Sequence, residues 1–513
     1  MSAAAAGERW TDGPEAERVL GQVDFVSSDE GAGEDDRLDS PWGIAIDPVS
    51  GKVFVAEPGQ HRVVRFASYL SLVNGAAAEA VLGQPGFGPG IAGLSATAMS
   101  SPQGVACDDE GRLWVSDSGN ARVLRFDDAA NLASGAAANG VIGQADFISN
   151  GQVTSASGMR LPRGLAVDGA GNLFVADVTS CRVVMYPDAA NLANGGAGTI
   201  VFGQTNETSF SAGLARNRMN SPNDVAIDAA GTLYVADRGN HRILRFDDAA
   251  LFSTGVQASA VLGQPNYVTN ATATSATGFN GPAALELDPD GHLWVVDAGN
   301  QRALRFESPG TLDGAVPAAG VVGQPDFTTS GFAVAADRMV LPQGIAVDPV
   351  GRIYVSDFGA HRVVVFVKDR HFPDLTIGEK LTSQRGENLR NLSGAGQKKS
   401  VTTDKKEVKF IMRVGNDGNV PDEYRVSGLR GGSKSTHRYF SLSGGKVNLT
   451  AAVVSGAHLT GTLAPGGIRT YELRMKPKGK NRDQRITVKA WFQGISTTDG
   501  EGDRVLGEMK NRP

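Results

Sequence analysis

Three oxygen-bearing side chains break an otherwise regular pattern, and they are the residues of this 513-residue chain best suited to chemistry. Asp224 stands where four copies of a repeated segment carry Gly, and Glu286 stands where five copies carry Ala. Asn223 directly precedes Asp224. Carboxylate and amide oxygens are ligands that suit a hard cation such as Ca²⁺. The alternative is that these side chains are solvated, or hydrogen-bonded within the protein.

The position before Asp224 varies freely among the copies, always one residue after a recurring Pro. Its occupants are Trp42, Gln103, Arg163, Asn223, Ala283 and Gln343. If the strands that begin here line a central channel, these residues ring its mouth. The candidate channel-mouth residues are therefore Trp42, Gln103, Arg163, Asn223, Asp224, Glu286 and Gln343. Asn223, Asp224 and Glu286 are the metal candidates, and no residue is assigned a catalytic role.

Residues present in every copy are better explained as structural, because a functional site normally needs asymmetry. An acid recurs five residues before an arginine six times, from Glu57 and Arg62 to Asp357 and Arg362. A charged pair repeated in this way predicts a buried ion pair. His61, His241 and His361 suggest a metal triad, but equivalent positions hold Ala121, Cys181 and Gln301. We therefore expect no metal at these histidines.

The elements that position these residues come from a repeat of about 60 residues, a period typical of solenoids, propellers and arrays. With few departures, the copies read P-x-G-[IV]-A-x-D, then G-x-[LVI]-[FWY]-V-[AS]-[DE], then R-[VI]-[VL]-x-F, and the first five end in V-x-G-Q. In the first copy we expect strands at Gly43–Asp47, Val53–Glu57, Arg62–Phe66 and Val81–Gly83, because β-branched and aromatic residues alternate with turn residues. Six copies predict six four-stranded sheets that share one core.

The sixth copy lacks the V-x-G-Q phrase, which stands instead at Val19–Gln22, ahead of the first copy. The N-terminus is therefore predicted to supply the last strand of the last sheet, closing a ring without a free edge. Strings such as SPQGVACDDEGRLWVSDSGNARVLRF at 101–126 and SPNDVAIDAAGTLYVADRGNHRILRF at 221–246 resemble NHL-repeat propellers. The resemblance covers about 350 residues. It implies an all-β fold with a six-bladed β-propeller over 16–370, after a flexible N-terminus at 1–15.

The composition changes sharply beyond the repeats. Residues up to 370 hold 24 Lys+Arg and 41 Asp+Glu, whereas 371–513 hold 25 and 14. In this basic segment we expect short strands at Glu407–Val414, Glu423–Val426, Val447–Val454, Thr470–Met475 and Arg485–Phe492, which predict a β-sandwich. The phrases PDLTIG at 373–378, VGNDGNVPDEYRVSG at 414–428 and LAPGGIRTYELRMKP at 463–477 resemble Ig-like, adhesion-type modules of bacterial surface and secreted proteins. We assign 371–513 to such a module.

Composition also limits the partners. No stretch approaches the ~18 consecutive apolar residues of a membrane span. The net charge of −17 over residues 1–370 disfavours binding to phosphate backbones, so nucleic acid is not an expected partner.

The two cysteines are expected to stay unpaired. Cys107 and Cys181 fall at different positions within neighbouring repeats. No recognisable leader precedes the repeats. We expect an extracellular or surface protein if a signal peptide has been removed, and a cytoplasmic protein otherwise.

Two functions fit these observations, and no G-x-S-x-G, P-loop, H-E-x-x-H or C-x-x-C motif points elsewhere. The favoured one is a monomeric, non-catalytic binding or scaffolding protein that presents a propeller face to a protein or glycan, with no cofactor. The alternative is a hydrolase with Ca²⁺ in the channel, because six-bladed lactonases and related hydrolases hold a channel calcium with such residues. The similar peptide-amidating lyases carry His just after the repeat Pro, and this chain has none there.

Overall fold

The fold is taken from a computed structural model. It describes residues 8–10, 12–31, 33–370, 373–378, 398–403, 407–416, 423–429, 435–442, 446–465, 467–477, 487–496 and 502–511. These residues divide into two compact units, Trp10–Val367 and a second unit made of Met1–Arg9 with Lys368–Pro513. The boundary lies within three residues of the one expected from composition.

The first unit contains six four-stranded antiparallel sheets, which we number as blades 1 to 6. Their first strands are Ile44–Ile46, Pro102–Cys107, Pro162–Val167, Pro222–Ile227, Pro282–Leu287 and Pro342–Val347. The second strands are Lys52–Glu57, Leu113–Asp117, Leu173–Asp177, Leu233–Asp237, Leu293–Asp297 and Ile353–Asp357. The third strands are Arg62–Ser68, Arg122–Phe126, Arg182–Tyr186, Arg242–Phe246, Arg302–Phe306 and Arg362–Phe366. The fourth strands are Ala80–Leu82, Gly140–Ile142, Ile200–Phe202, Ala260–Leu262, Gly320–Val322 and, for blade 6, Arg18–Leu20.

A short 3₁₀ turn joins the second and third strands of every blade. These turns are Pro58–Gln60, Ser118–Asn120, Val178–Ser180, Arg238–Asn240, Ala298–Asn300 and Phe358–Ala360. Three more 3₁₀ turns follow third strands, at Ala189–Asn191, Ala249–Leu251 and Pro309–Thr311. They account for part of the long Ala- and Asn-rich connections that the repeats contain.

The blades form a closed ring. The first strand of each blade contacts the first strand of the next, and that of blade 6 contacts that of blade 1. An apolar cluster fills the space between each pair of neighbouring blades; between blades 1 and 2, for example, it contains Phe54 and Val115, both fully buried. Such packing buries both faces of every sheet, which explains the almost continuous apolar runs in the second strands. This is the arrangement of a β-propeller.

The closure of the ring confirms the prediction made from the displaced V-x-G-Q phrase. Arg18, Val19 and Leu20 pair antiparallel with Val365, Val364 and Val363 of blade 6. Val19 and Leu20 are fully buried. Blade 6 therefore combines strands from the two ends of the propeller.

Within the segment 1–15, for which flexibility is expected, the described residues from Trp10 onward contact blade 5. The Trp10 ring lies edge-on to the Trp294 ring, with centroids 4.9 Å apart. The Gly13 N–H donates to the Val321 carbonyl at 3.0 Å, and the Val321 N–H donates to Asp12 Oδ1 at 3.2 Å. Backbone hydrogen bonds and the partly buried Trp10 ring hold this segment against blade 5.

The second unit contains two five-stranded sheets. One has the strand order Pro373–Gly378, Val408–Asn416, Ile468–Pro477, Ser435–Ser441 and Val447–Asn448. The other has the order Lys398–Thr403, Gly502–Asn511, Thr487–Ser496, Tyr424–Gly428 and His458–Leu459. Phe410 and Leu473 of the first sheet share an apolar core with Tyr424 of the second. Glu8–Arg9 also pairs with Asp369–Arg370.

One predicted strand of this unit is wrong. Of Val447–Val454, only Val447–Asn448 is a strand, and Thr450–Ser455 forms an α-helix. Asn448 Oδ1 accepts a hydrogen bond from the Thr450 N–H at 3.0 Å and so satisfies a donor of the first helical turn. Gly456, with φ of 71°, ends the helix. No helix in the described part of the chain is long and apolar enough to cross a membrane.

Candidate ligand-binding channel

The six first strands surround a channel with a cavity of about 240 Å³. The structure places all seven sequence-predicted residues on its wall: Trp42, Gln103, Arg163, Asn223, Asp224, Glu286 and Gln343. Most of the remaining wall is Ala, Val, Ile and Gly, together with Cys107. Cys107 and Cys181 are both free thiols. Polar chemistry in the channel is therefore concentrated in few side chains.

Two arginines meet at the channel mouth, where the first strands begin. Arg163 donates from Nη1 to Asn223 Oδ1 at 2.6 Å, and its guanidinium carbon lies 5.2 Å from the centroid of the Trp42 ring. Arg238, on the turn after the second strand of blade 4, donates from Nη1 to Gln343 Oε1 at 3.2 Å. The same Nη1 lies 3.5 Å from Asn223 Oδ1. Both cations therefore share one amide oxygen.

Neither arginine has a carboxylate partner among the described residues, since their hydrogen bonds go to the neutral amides of Asn223 and Gln343. Burial, followed by repulsion from Arg238, lowers the pKa of Arg163 to about 10. Burial also lowers the pKa of Arg238. Arg163 Nε is buried without a hydrogen-bond partner. Two partly desolvated guanidinium groups without a carboxylate partner therefore favour the binding of an anion at the channel mouth.

Asn223 and Asp224 connect blades 4 and 5 through their side chains. Asn223 Nδ2 donates to the Ala283 carbonyl at 2.6 Å, and Asp224 Oδ2 accepts from the Leu285 N–H at 2.9 Å. Blades 1 and 2 instead meet directly, with the Gly43 N–H donating to the Gln103 carbonyl at 2.9 Å.

Glycine is needed where first strands approach one another this closely. A Cβ on Gly104 would lie 1.9 Å from the Arg163 carbonyl, and one on Gly344 would lie 2.1 Å from the Trp42 carbonyl. Asp224 takes the corresponding position in blade 4, where its carboxylate supplies the acceptor for the backbone of blade 5. The departure from Gly thus has a structural role in addition to any chemical one.

Glu286 lies deeper in the channel, and the same position in the other blades holds Ala45, Ala106, Ala166, Ala226 and Ala346. Its Oε1 accepts from the Leu287 N–H at 3.1 Å. Burial, with smaller contributions from Asp224 and Asp288, raises the pKa of Glu286 to about 8. Burial also raises the pKa of Asp224 to about 7. Two carboxyl groups with raised pKa values therefore face one cavity.

The predicted metal set is only partly available for coordination. Both ends of the Asn223 amide are engaged, by Arg163 and by the Ala283 carbonyl. A cation bound there would also stand beside two guanidinium groups, which would repel it. Asp224 and Glu286 line the channel, and their carboxyl groups are the remaining candidates for holding a metal.

A second acidic group lies on the first turn of blade 5. Ligand atoms of Asp288, Asp290 and His292 fall within 4.8 Å of one another. However, Asp288 Oδ1 accepts from the backbone N–H groups of Asp290 and His292, and its Oδ2 accepts from Trp294 Nε1 at 3.1 Å. Equivalent aspartates, such as Asp228 in blade 4, accept from the same turn positions. The group is explained by turn formation.

The repeated acid–arginine pairs are buried, as predicted. In blade 4, Arg242 Nε lies 2.7 Å from Asp237 Oδ2, and both side chains are fully buried. Arg242 also donates to the carbonyls of Tyr267 at 2.7 Å and Arg218 at 2.9 Å, which lie in the loops before the first strands of blades 5 and 4. The arginine of each pair thus links surface loops to its own sheet through hydrogen bonds.

The three histidines bind the backbone of the next blade instead of one another. Nδ1 of His61, His241 and His361 accepts from the N–H of Ser101, Gly281 and Ser40, at 3.0, 3.0 and 3.1 Å. In blade 5, Gln301 Oε1 accepts from the Leu341 N–H at the same position. In these four blades the side chain at this position accepts a backbone hydrogen bond, which explains the histidines without a metal, although Ala121 of blade 2 offers no acceptor.

Sequence comparison agrees with this architecture. Residues 99–126, 219–246 and 340–366 match the profile of the NHL repeat. These three segments, one in each of blades 2, 4 and 6, are similar to NHL repeats. The human protein "NHL repeat-containing protein 3" is 30% identical over 156 residues, which are 30% of this chain and 38% of the human protein. The alignment therefore spans less than half of that relative.

Solved structures resemble the chain in fold. A Bacteroides thetaiotaomicron protein of unknown function is 14% identical, with a TM-score of 0.46, over 68% of this chain and 76% of its own. A gluconolactonase from Xanthomonas campestris is 16% identical, with a TM-score of 0.37, over 71% of this chain and 96% of its own. At these values the likeness carries no conclusion about activity.

Arg238 is the site residue that the sequence reasoning missed. Arg238 begins the turn after a second strand, whereas the departures from the repeat lie along the first strands. The equivalent positions hold Pro58, Ser118, Val178, Ala298 and Phe358. The same comparison, extended to this turn, would have shown a cation at one of six copies.

Proposed function

We propose that the NHL-repeat propeller is a non-catalytic binding module that captures an anionic group of a protein or glycan ligand at its channel mouth. The observation that supports this is the pair of unneutralised guanidinium groups of Arg163 and Arg238. A carboxylate can accept several N–H donors from such a pair, and these charge-assisted hydrogen bonds are stronger than those between neutral groups.

The surroundings favour a flat or ring-shaped ligand beside the anion. Trp42 and Phe358 lie edge-on at the same mouth, with ring centroids 5.4 Å apart. Arg163 lies against the face of Trp42, so the guanidinium is held in place before a ligand arrives. The side-chain amides of Gln103 and Gln343 also line the channel mouth. Uronic acids of glycans and acidic side chains of proteins both fit this chemistry.

Calorimetric titration with D-glucuronate and D-glucose tests the proposal, because the two sugars differ by one carboxylate. We expect glucuronate to bind and glucose to bind at least about tenfold more weakly, as one charge-assisted contact supplies that difference. Arg163→Gln and Arg238→Gln should each abolish the preference. Arg37→Gln, which removes a half-exposed cation outside the channel, is the matched control. An unchanged preference in both channel variants would contradict the proposal.

The cellular setting belongs to the same proposal. We infer an exported or surface-associated, monomeric protein whose C-terminal unit is an Ig-like, adhesion-type module that spaces or anchors the propeller. Support comes from the adhesion-type phrases at 373–378, 414–428 and 463–477. Surface labelling of intact cells with a membrane-impermeant reagent tests the location, and protection of the protein from the reagent would contradict it.

A calcium-dependent lactonase or esterase-like hydrolase is the second candidate. It is favoured by one observation, namely that Asp224 and Glu286 both face the channel. Elemental mass spectrometry of the purified protein, followed by calcium titration after chelation, separates the candidates. One calcium per chain that is lost in Glu286→Gln would support the hydrolase. Absence of bound metal and of titration heat would exclude it.

A further inference from the structure

We propose that the channel ligand is bipolar: a carboxylate lies at Arg163 and Arg238, and a cationic or hydrogen-bond-donating end reaches Asp224 and Glu286. This inference rests on the binding function proposed above and specifies its ligand. The ligand class is a small amino acid-like molecule, or a chain end of that shape, with an ammonium group several bonds away from its carboxylate.

Depth along the first strands separates the two ends of the site. Arg163 stands one residue after the repeat Pro of its blade, whereas Glu286 stands four residues after Pro282. At a rise of about 3.3 Å per residue, the acidic level lies about 10 Å below the arginine level. Asp224, two residues after Pro222, lies between the two levels. The polarity of the channel therefore reverses along its axis.

The acidic level has room for a ligand. Five of the six blades carry alanine at the level of Glu286, so small methyl groups surround a single carboxyl group. The cavity of about 240 Å³ lies just below the ~300–1,000 Å³ that is usual for ligand pockets, so it suits a small ligand. A linear molecule of about nine heavy atoms fits this space. Its aliphatic middle would lie against the alanine and valine side chains.

The acids lack a cationic partner within the described part of the protein. The hydrogen bonds of Asp224 and Glu286 come from backbone N–H groups, those of Leu285 and Val225 for Asp224 and that of Leu287 for Glu286. The other charged group that acts on Glu286 is Asp288, which is also acidic. A buried carboxyl group without a counter-ion is stabilised when a ligand supplies one. An ammonium group at this level would supply a counter-ion to the ionised form of these acids, whereas a carboxylate would find no cationic group there.

Calorimetric titration with 6-aminohexanoate, hexanoate and 1-aminohexane tests the inference. These probes share one chain and differ only in their ends. We expect 6-aminohexanoate to bind about tenfold or more tightly than hexanoate, the effect of one charge-assisted hydrogen bond. Glu286→Gln should reduce this ratio to about one while hexanoate binding is retained. Glu110→Gln, which removes a carboxylate exposed on a turn of blade 2, should keep the ratio.

The outcomes separate this inference from the proposed function. Equal affinities for 6-aminohexanoate and hexanoate in the parent protein, with both lost in Arg163→Gln, would overturn the bipolar ligand and leave anion capture intact. Lack of binding by every carboxylate probe, glucuronate included, would overturn both. A preference for 6-aminohexanoate that survives in a folded Glu286→Gln protein, verified by its circular dichroism, would also overturn the role of the acidic level.

Discussion

Glu286 and Asp224 show how one residue type takes different roles within a repeat. Acidic residues recur in every blade at the positions of Asp228 and Asp237, where they accept hydrogen bonds from turns or pair with arginines. Asp224 and Glu286 occur once each and face the channel. Comparison among the six copies could separate these groups from sequence alone. It could not show that the Asn223 amide is already engaged, because that depends on how blades 3, 4 and 5 meet.

The raised pKa values of the two channel acids predict how stability depends on pH. Glu286, with a pKa of about 8 against an ordinary 4.5, holds its proton in the folded protein after the unfolded chain has released it. The free energy of unfolding therefore decreases as pH rises from about 4.5 to about 8. Asp224, with a pKa of about 7, acts in the same direction. Asp288 is the remaining charged neighbour of Glu286.

Glu286→Gln should remove much of this dependence, because glutamine keeps the shape and does not titrate. We expect the variant to be more stable than the parent at pH 8 by about 1–3 kcal/mol, and close to it at pH 4.5. Urea unfolding at several pH values measures the difference, and Glu110→Gln should follow the parent curve. Parallel curves for Glu286→Gln and the parent would contradict the prediction.

At the scale of elements, the blade strands could be predicted because six copies repeat one pattern. Val53–Glu57 and Arg62–Phe66 were expected, and the strands are Lys52–Glu57 and Arg62–Ser68. The second unit has no internal copies for comparison. Its strand Lys398–Thr403 pairs in parallel with Gly502–Asn511, about a hundred residues away, and neither was expected. Local alternation of residue types does not reveal such distant pairing.

The buried ion pairs make the link between strands and loops testable. Asp237→Asn leaves the fully buried Arg242 without its counter-ion, so we expect a loss of about 3–5 kcal/mol in the free energy of unfolding. Asp247→Asn on the same blade is the control, since Asp247 is 45% exposed beside Arg245 and its removal should cost less than about 1 kcal/mol. Equal losses in the two variants, measured by urea unfolding, would contradict a structural role for the buried pair.

At the scale of the whole molecule, the displaced V-x-G-Q phrase was sufficient to predict the ring closure. The strand Arg18–Leu20 completes blade 6. Gln22 adds a hydrogen bond from Nε2 to the His361 carbonyl at 3.1 Å, as the equivalent glutamines do within other blades. The docking of Trp10 could not be predicted, since it precedes the repeat and has no counterpart among the copies.

Removal of residues 1–22 should open the ring. The strand Arg362–Phe366 would then lose its outer partner and expose fully buried valines. We expect the melting temperature to fall by about 10 °C and the protein to self-associate through the free edge. Removal of residues 1–17 keeps the strand and is the matched control. Calorimetry with light scattering measures both effects, and equal melting temperatures for the two truncations would contradict this role of the strand.

The closure of blade 6 also determines when the propeller can be completed during synthesis. Phe25 and Arg362 are 337 residues apart in sequence, yet the Phe25 carbonyl accepts a hydrogen bond from Arg362. The strand Arg18–Leu20 is synthesised before the other five blades, and its partner Arg362–Phe366 is synthesised after them. Val19 and Leu20 therefore remain exposed to water, or bound to a chaperone, until the third strand of blade 6 has been synthesised. Nascent chains stalled before residue 362 should consequently bind holdase chaperones through their N-terminal segment.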